Sequence, residues 1–142
     1  MNKVVRLILM SAILLVILLT SACTPPKPSG LTDQQIASAT ESTLKAIDAK
    51  DYQKFTQDFS DKMISVFTQG QFDKLCNLLQ AASGSYVSLG TPGLTNNQGY
   101  AVYRFPAKYA NETVYVTITF LVGGQKIEGL FFDSVALRKA SQ

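Results

Sequence analysis

Asp133 and Tyr103 are the two side chains of this chain that a derived strand register sets near one another with the types needed for proton transfer. A carboxylate turned into an apolar interior resists ionisation, which suits a general acid or base. Little else in the sequence is equipped for catalysis. The 142 residues contain no histidine and no tryptophan, which excludes histidine-dependent triads, zinc-hydrolase sites and imidazole acid–base chemistry. Cys76 belongs to an apolar stripe of Phe72, Leu75, Cys76, Leu79 and Ala82 at helical spacing and reads as core packing. Asp48, Asp51, Asp58 and Asp61 lie among helices with lysines nearby and read as solvated faces rather than paired catalytic carboxylates. Two cysteines cannot form a zinc cluster, so neither metal nor cofactor is expected. Gly123-Gly124 is followed by a strand pattern instead of a helix, and so marks a turn and not a phosphate loop.

The charge balance bears on partners. Lys and Arg number 13 against 10 Asp and Glu. Lys3 and Arg6 stand in an N-terminal segment that reads as a targeting signal, which leaves 11 against 10 beyond it. A nearly neutral chain without a basic patch is a poor binder of nucleic acid. Behind Arg6, the run Leu7 to Leu19 is shorter than the roughly 20 apolar residues of a membrane span. Leu19-Thr20-Ser21-Ala22-Cys23 then resembles the lipobox of bacterial lipoproteins, although Thr20 stands where Leu is usual. That resemblance implies cleavage before Cys23 and a diacylglycerol on its sulfur. Residues 24–30, with three prolines, read as an extended tether that sets the domain roughly 20 Å from the anchor. The expected organisation is a signal peptide at 1–22, a lipidated cysteine with its tether at 23–31 and one domain at 32–142. The chain is then extracytoplasmic and lipid-anchored, with the membrane as its partner. In a bacterial chain the Asn111-Glu112-Thr113 acceptor pattern is a chance match.

Two halves must position the candidate residues. Thr32 with Gln35 forms a capping box, followed by Ile36, Thr40, Thr43, Leu44 and Ile47 at helical intervals. A second stripe runs through Tyr52, Phe55, Phe59, Met63, Val66 and Phe67, with Ser60 placed to cap a new turn. A third helix starts between Thr68 and Gln71 and stops before Gly84, a left-handed cap. Segments 85–91, 100–108, 112–122 and 126–137 then carry strand composition, with a long loop spanning Gly90 to Gly99. Helices first and an antiparallel meander second predict an α+β domain.

With Ala110-Asn111 and Gly123-Gly124 as two-residue turns, Ile118 pairs with Tyr103, Val116 with Phe105, and Val114 with Ala107. Across the second hairpin Phe120 pairs with Ile127, Ile118 with Gly129, Val116 with Phe131, and Val114 with Asp133. This places Tyr103, Phe105, Val114, Val116, Ile118, Phe120, Ile127, Phe131 and Val135 on the core face.

Several segments resemble a known family. Ala49-Lys50-Asp51-Tyr52 with Phe55, Phe59 and Met63 resembles the opening helices of the domain of unknown function 3887 family. Val114 to Phe120, the glycine turn and Lys126 to Phe131 resemble its final hairpin. That family is similar to the nuclear transport factor 2-like superfamily. The resemblance implies N-terminal helices packed on the concave face of a bent antiparallel β-sheet, a cone over residues 33–137. Such cones host isomerases, dehydratases, binding proteins and dimerisation modules, so the fold alone selects no activity.

The functional expectation is a non-enzymatic binding or accessory module at the membrane. Its candidate pocket is Tyr103, Phe105, Ile118, Gly129, Phe131 and Asp133, holding a small apolar ligand where Gly129 leaves a vacancy. The catalytic alternative is an isomerase-like enzyme using Asp133 and Tyr103. Val102, Tyr115, Leu121, Leu130 and Phe132 form a candidate interface on the outer sheet face, where the resemblance implies pairing into a homodimer.

Overall fold

The structure, a computed structural model, describes residues 31–141, so the signal segment, Cys23 and the tether as far as residue 30 lie outside the described residues. The predicted capping box opens helix α1 (Asp33–Asp48): the Thr32 N–H donates to Gln35 Oε1 at 2.8 Å, and the Gln35 N–H donates to Thr32 Oγ1 at 3.2 Å. Its inner face buries Ile36, Thr40, Thr43, Leu44 and Ile47, the predicted stripe. Asp51 then caps the five-residue helix α2 (Tyr52–Thr56), and Ser60 caps α3 (Asp61–Val66). The break between them has a tertiary cause. The Ser60 N–H donates to the Ile127 carbonyl at 3.0 Å, and the Ile127 N–H donates to the Asp58 carbonyl at 2.8 Å. Residues 58–60 therefore leave the helix to cover the edge of the sheet. Helix α4 (Gln69–Ala82) starts on a second capping box, Thr68 with Gln71, and ends before Gly84 at φ +79°, as its sequence predicts.

Five strands follow: β1 (Tyr86–Leu89), β2 (Gly93–Asn97), β3 (Tyr100–Tyr109), β4 (Thr113–Leu121) and β5 (Ile127–Asp133). They form a bent, open antiparallel sheet, in which β3 pairs with β1, β2 and β4, and β5 lies at the edge beyond β4. The α+β arrangement is the one expected. The long loop is not, because Gly93 to Asn97 is a strand. Gln98 at φ +46° and Gly99 at φ +85° turn it onto β3, the two positive values that a tight hairpin of matching twist requires. Its Asn and Gly composition reads as turn, and pairing with β3 overrides that.

Pro106 sits inside β3 without breaking it. β1 pairs with 107–109 and β2 with 100–104, so Pro106 faces the gap between them. Its carbonyl accepts the Gly90 N–H at 2.8 Å. The missing proline N–H points the same way, into the gap, and no ladder bond is lost. A Cβ at Gly90 would stand 2.8 Å from Pro106 Cγ, so this crossing requires glycine.

The β3–β4 register is as derived, with Tyr103 opposite Ile118, Phe105 opposite Val116 and Ala107 opposite Val114. Phe120 also pairs with Ile127. Beyond that pair the derived register fails. A bulge admits Glu128 as an extra residue, so Gly129 faces Thr119, Leu130 faces Ile118, Phe131 faces Thr117, Phe132 faces Val116 and Asp133 faces Tyr115. One inserted residue turns the rest of β5 over: Leu130 and Phe132 pack against the core, and Phe131 is 64% exposed. Burial explains the choice. Ile127 is held inward by the 58–60 segment, and only a bulge then lets both Leu130 and Phe132 reach the helices. Strand β5 also stops at Asp133, short of the expected end at Leu137. Ser134 caps a final helix α5 (Val135–Ala140) by accepting from the Leu137 N–H. Val135, expected in the core, is exposed, and Leu137 is buried in its place. Among the described residues no helix is long and apolar enough to cross a membrane.

Candidate functional site

The structure divides the expected pocket between two faces of the sheet. Tyr103, Phe105 and Ile118 are buried in the core, with the Tyr103 ring 6.5 Å from Phe105 and 6.0 Å from Phe120. The Tyr103 hydroxyl is buried without a hydrogen-bond partner, and burial, then the charge of Asp33, holds its pKa above the ordinary value. Gly129 lies on the opposite face, where an added Cβ would touch Thr119 at 3.4 Å, and Phe131 projects into solvent. Asp133 is on that outer face too. It accepts from Arg138 Nη1 at 2.8 Å and from Arg104 Nη2 at 3.4 Å. The bulge thus separates Asp133 from Tyr103 and removes the apolar setting on which the acid–base reading stood. The expected interface is divided likewise: Tyr115 and Leu121 are exposed, Val102 is half-buried, and Leu130 and Phe132 turn inward. Cys76 is buried and free, as expected of packing, and burial, then the charge of Asp73, keeps its thiol above the ordinary pKa.

A different site forms where α4, β5 and α5 meet. Leu75 and Leu78 from α4, Leu130 and Phe132 from β5, Leu137 from α5 and Phe67 from the turn after α3 wall an apolar groove of about 520 Å³. Its volume falls within the roughly 300–1,000 Å³ of small-molecule sites. Asp133, Arg138 and Ser141 close one end. The local causes are visible: the bulge aims Leu130 and Phe132, and the Ser134 cap turns the chain so that Leu137 and Arg138 face the groove. Sequence reasoning missed this site because 134–137 reads as strand. The available signal was Ser134 three residues before Leu137, with Arg138 and Lys139 placed for a last helical turn.

Asp133 and Arg138 also border a polar recess of about 510 Å³ with Arg104, Glu112, Thr113, Tyr115 and Ser134. The Arg104 guanidinium stacks 4.0 Å from the centre of the Tyr115 ring. Below it, Glu112 ties three elements together. Glu112 Oε1 accepts from Ser83 Oγ at 2.6 Å and from Ser134 Oγ at 2.7 Å, and Oε2 accepts from the Ala136 N–H at 3.4 Å. Burial pushes this carboxyl's pKa up, but the Ser83, Ser134 and Ala136 hydrogen bonds outweigh it, and the net displacement is downward.

Fold and site together define a helix-backed, open antiparallel α+β domain with an apolar groove beside its edge strand. The chain belongs to the family described as Protein of unknown function (DUF3887), whose model matches residues 40–130, from α1 into β5. Among curated proteins and among solved structures nothing matches the chain.

Proposed function

We propose that this chain is a membrane-anchored, extracytoplasmic lipoprotein whose domain is a non-enzymatic binding module for a small apolar ligand. The observation that carries the binding reading is the groove walled by Leu75, Leu78, Leu130, Phe132 and Leu137. Seven of its ten lining residues are apolar, and they come from four different parts of the fold, so the groove depends on the tertiary structure. Thermal unfolding of residues 29–142 with a medium-chain alcohol is the test. At a hundredfold excess over Kd, a ligand of the native state contributes about 2.7 kcal/mol, an upward shift of roughly 10 °C for a domain of this size. Leu78→Arg, which places a charge in the wall, is expected to abolish the shift. No shift with any alcohol from eight to sixteen carbons would remove the reading.

The anchor rests on Leu19 to Cys23, the apolar run before it and the proline tether after it. Metabolic labelling with an alkynyl palmitate is expected to mark the parent chain and not Cys23→Ala. Equal labelling of both would disprove lipidation at that sulfur. The bent sheet backed by helices supports placing the fold beside the nuclear transport factor 2-like superfamily. Its outer face supports self-association, with Phe131 replacing Leu130 and Phe132 beside Tyr115 and Leu121. Sedimentation at high micromolar concentration is expected to show a dimer that Phe131→Lys dissociates. A parent that sediments as a monomer throughout rules out this pairing.

A further inference from the structure

We infer that the ligand of the groove is a single-chain anionic amphiphile, a free long-chain carboxylate whose tail lies against α4 and β5 and whose head meets Arg138. This rests on the binding reading above and names the chemistry of its ligand. The walls account for the tail. Leu75, Leu78, Phe132 and Leu137 offer no hydrogen-bonding side chain, and about 520 Å³ in one open groove suits one acyl chain better than two.

The head is specified by what stands at the polar end. Arg138 stands there with Asp133 and Ser141, its Nη1 2.8 Å from the Asp133 carboxylate, and Arg104 reaches the same carboxylate at 3.4 Å from the adjoining recess. Their exposures differ in the direction that matters. The Arg138 and Arg104 side chains are 63% and 53% exposed, whereas Asp133 is 24% exposed, so the guanidinium groups present more surface to an arriving ligand than the carboxylate they share. Glu112 is the other carboxylate of the adjoining recess, and its oxygens are already engaged by Ser83, Ser134 and the Ala136 N–H. Arg138 donates to Asp133 through Nη1, which leaves further N–H groups for a carboxylate at the groove mouth. Arg138 and its partner Asp133 line both the groove and the recess, so this ion pair marks the junction of apolar wall and polar mouth, with Arg138 its more exposed member. A neutral apolar ligand would use the wall and leave this end without a role.

The test uses the full chain in washed membranes, photolysed with a diazirine-bearing sixteen-carbon carboxylate or with the alcohol of the same length. Adducts are mapped by peptide mass spectrometry. The carboxylate is expected to label the Leu75–Leu78 and Leu130–Phe132 peptides, and Arg138→Gln to cut that labelling about tenfold while Arg138→Lys retains most of it. Labelling by the alcohol is expected to be weaker and indifferent to Arg138→Gln. Excess oleate is expected to compete, and phosphatidylglycerol vesicles are not. Equal labelling by acid and alcohol, unaffected by Arg138→Gln, would overturn the carboxylate assignment while leaving the groove a binding site. Competition by the vesicles alone would assign the groove to a phospholipid and overturn the free-carboxylate assignment. Absence of adducts in these peptides with either probe would overturn the binding reading itself.

Discussion

Replacing Phe55 by alanine is expected to destabilise the domain by about 3–5 kcal/mol, whereas Phe131→Ala stays within about 0.5 kcal/mol. Both are phenylalanines of regular elements, and their surroundings decide the difference. Phe55 has no exposed surface, and its ring centre lies 4.8 Å from Phe59, 5.2 Å from Phe67 and 4.7 Å from Phe72. It is the one buried residue of α2, a helix of five residues, far too short to persist by its own hydrogen bonds. Deleting the ring leaves a cavity among three aromatic neighbours and removes what holds α2 against α4. Phe131 is 64% exposed and leaves no comparable cavity. Urea unfolding of residues 29–142 measures both, with the midpoint expected to fall steeply for Phe55→Ala at an unchanged slope. A fall of under 1 kcal/mol at Phe55 would show that the aromatic cluster can collapse around the gap.

The second large effect is expected at Glu112, where alanine costs on the order of 3 kcal/mol. The substitution removes the acceptor of two buried hydroxyls, Ser83 at 0% and Ser134 at 4% exposure, and of the Ala136 N–H. These groups join the end of α4, the β3–β4 turn and the start of α5, so their loss loosens the groove as well as the fold. The carboxyl also makes stability depend on pH. Its folded pKa is lowered, so the native state favours the ionised form more than the unfolded chain does. That contribution is fully present above the ordinary Glu value of 4.5 and is lost as the pH falls through the lower folded value. Denaturation midpoints of the parent are expected to fall below pH 4.5, and Glu112→Gln is expected to flatten that part of the curve. Parallel curves for parent and variant would show that Glu112 is not the group responsible.

The parts of this fold that were legible in the sequence are those whose causes lie within a few residues. Thr32 with Gln35 and Thr68 with Gln71 start helices because a hydroxyl three positions away satisfies a free N–H. Ala110-Asn111 and the alternation of β3 and β4 specify their pairing residue by residue, since both strands bury one face along their length. Candidate binding residues were less legible. Tyr103, Phe105 and Ile118 face inward as strand alternation predicts, yet they are core, while the groove uses Leu75, Leu78, Leu137 and Arg138.

By itself the sequence determined the helix caps, the two-half organisation, the β3–β4 core face and the membership of the family. Tertiary structure alone decided the side on which each residue of β5 stands. Gly129 and Phe131 went to the outer face, Leu130 and Phe132 inward, and Asp133 to Arg104 and Arg138. The reason is the period of a strand. Side chains alternate every residue, so one extra residue reverses everything beyond it, and no local pattern in 127–133 records that insertion. It is set by Ser60, which lies 68 positions from Glu128; the Ser60 N–H donates to the Ile127 carbonyl and its hydroxyl donates to the Glu128 carboxylate at 3.0 Å.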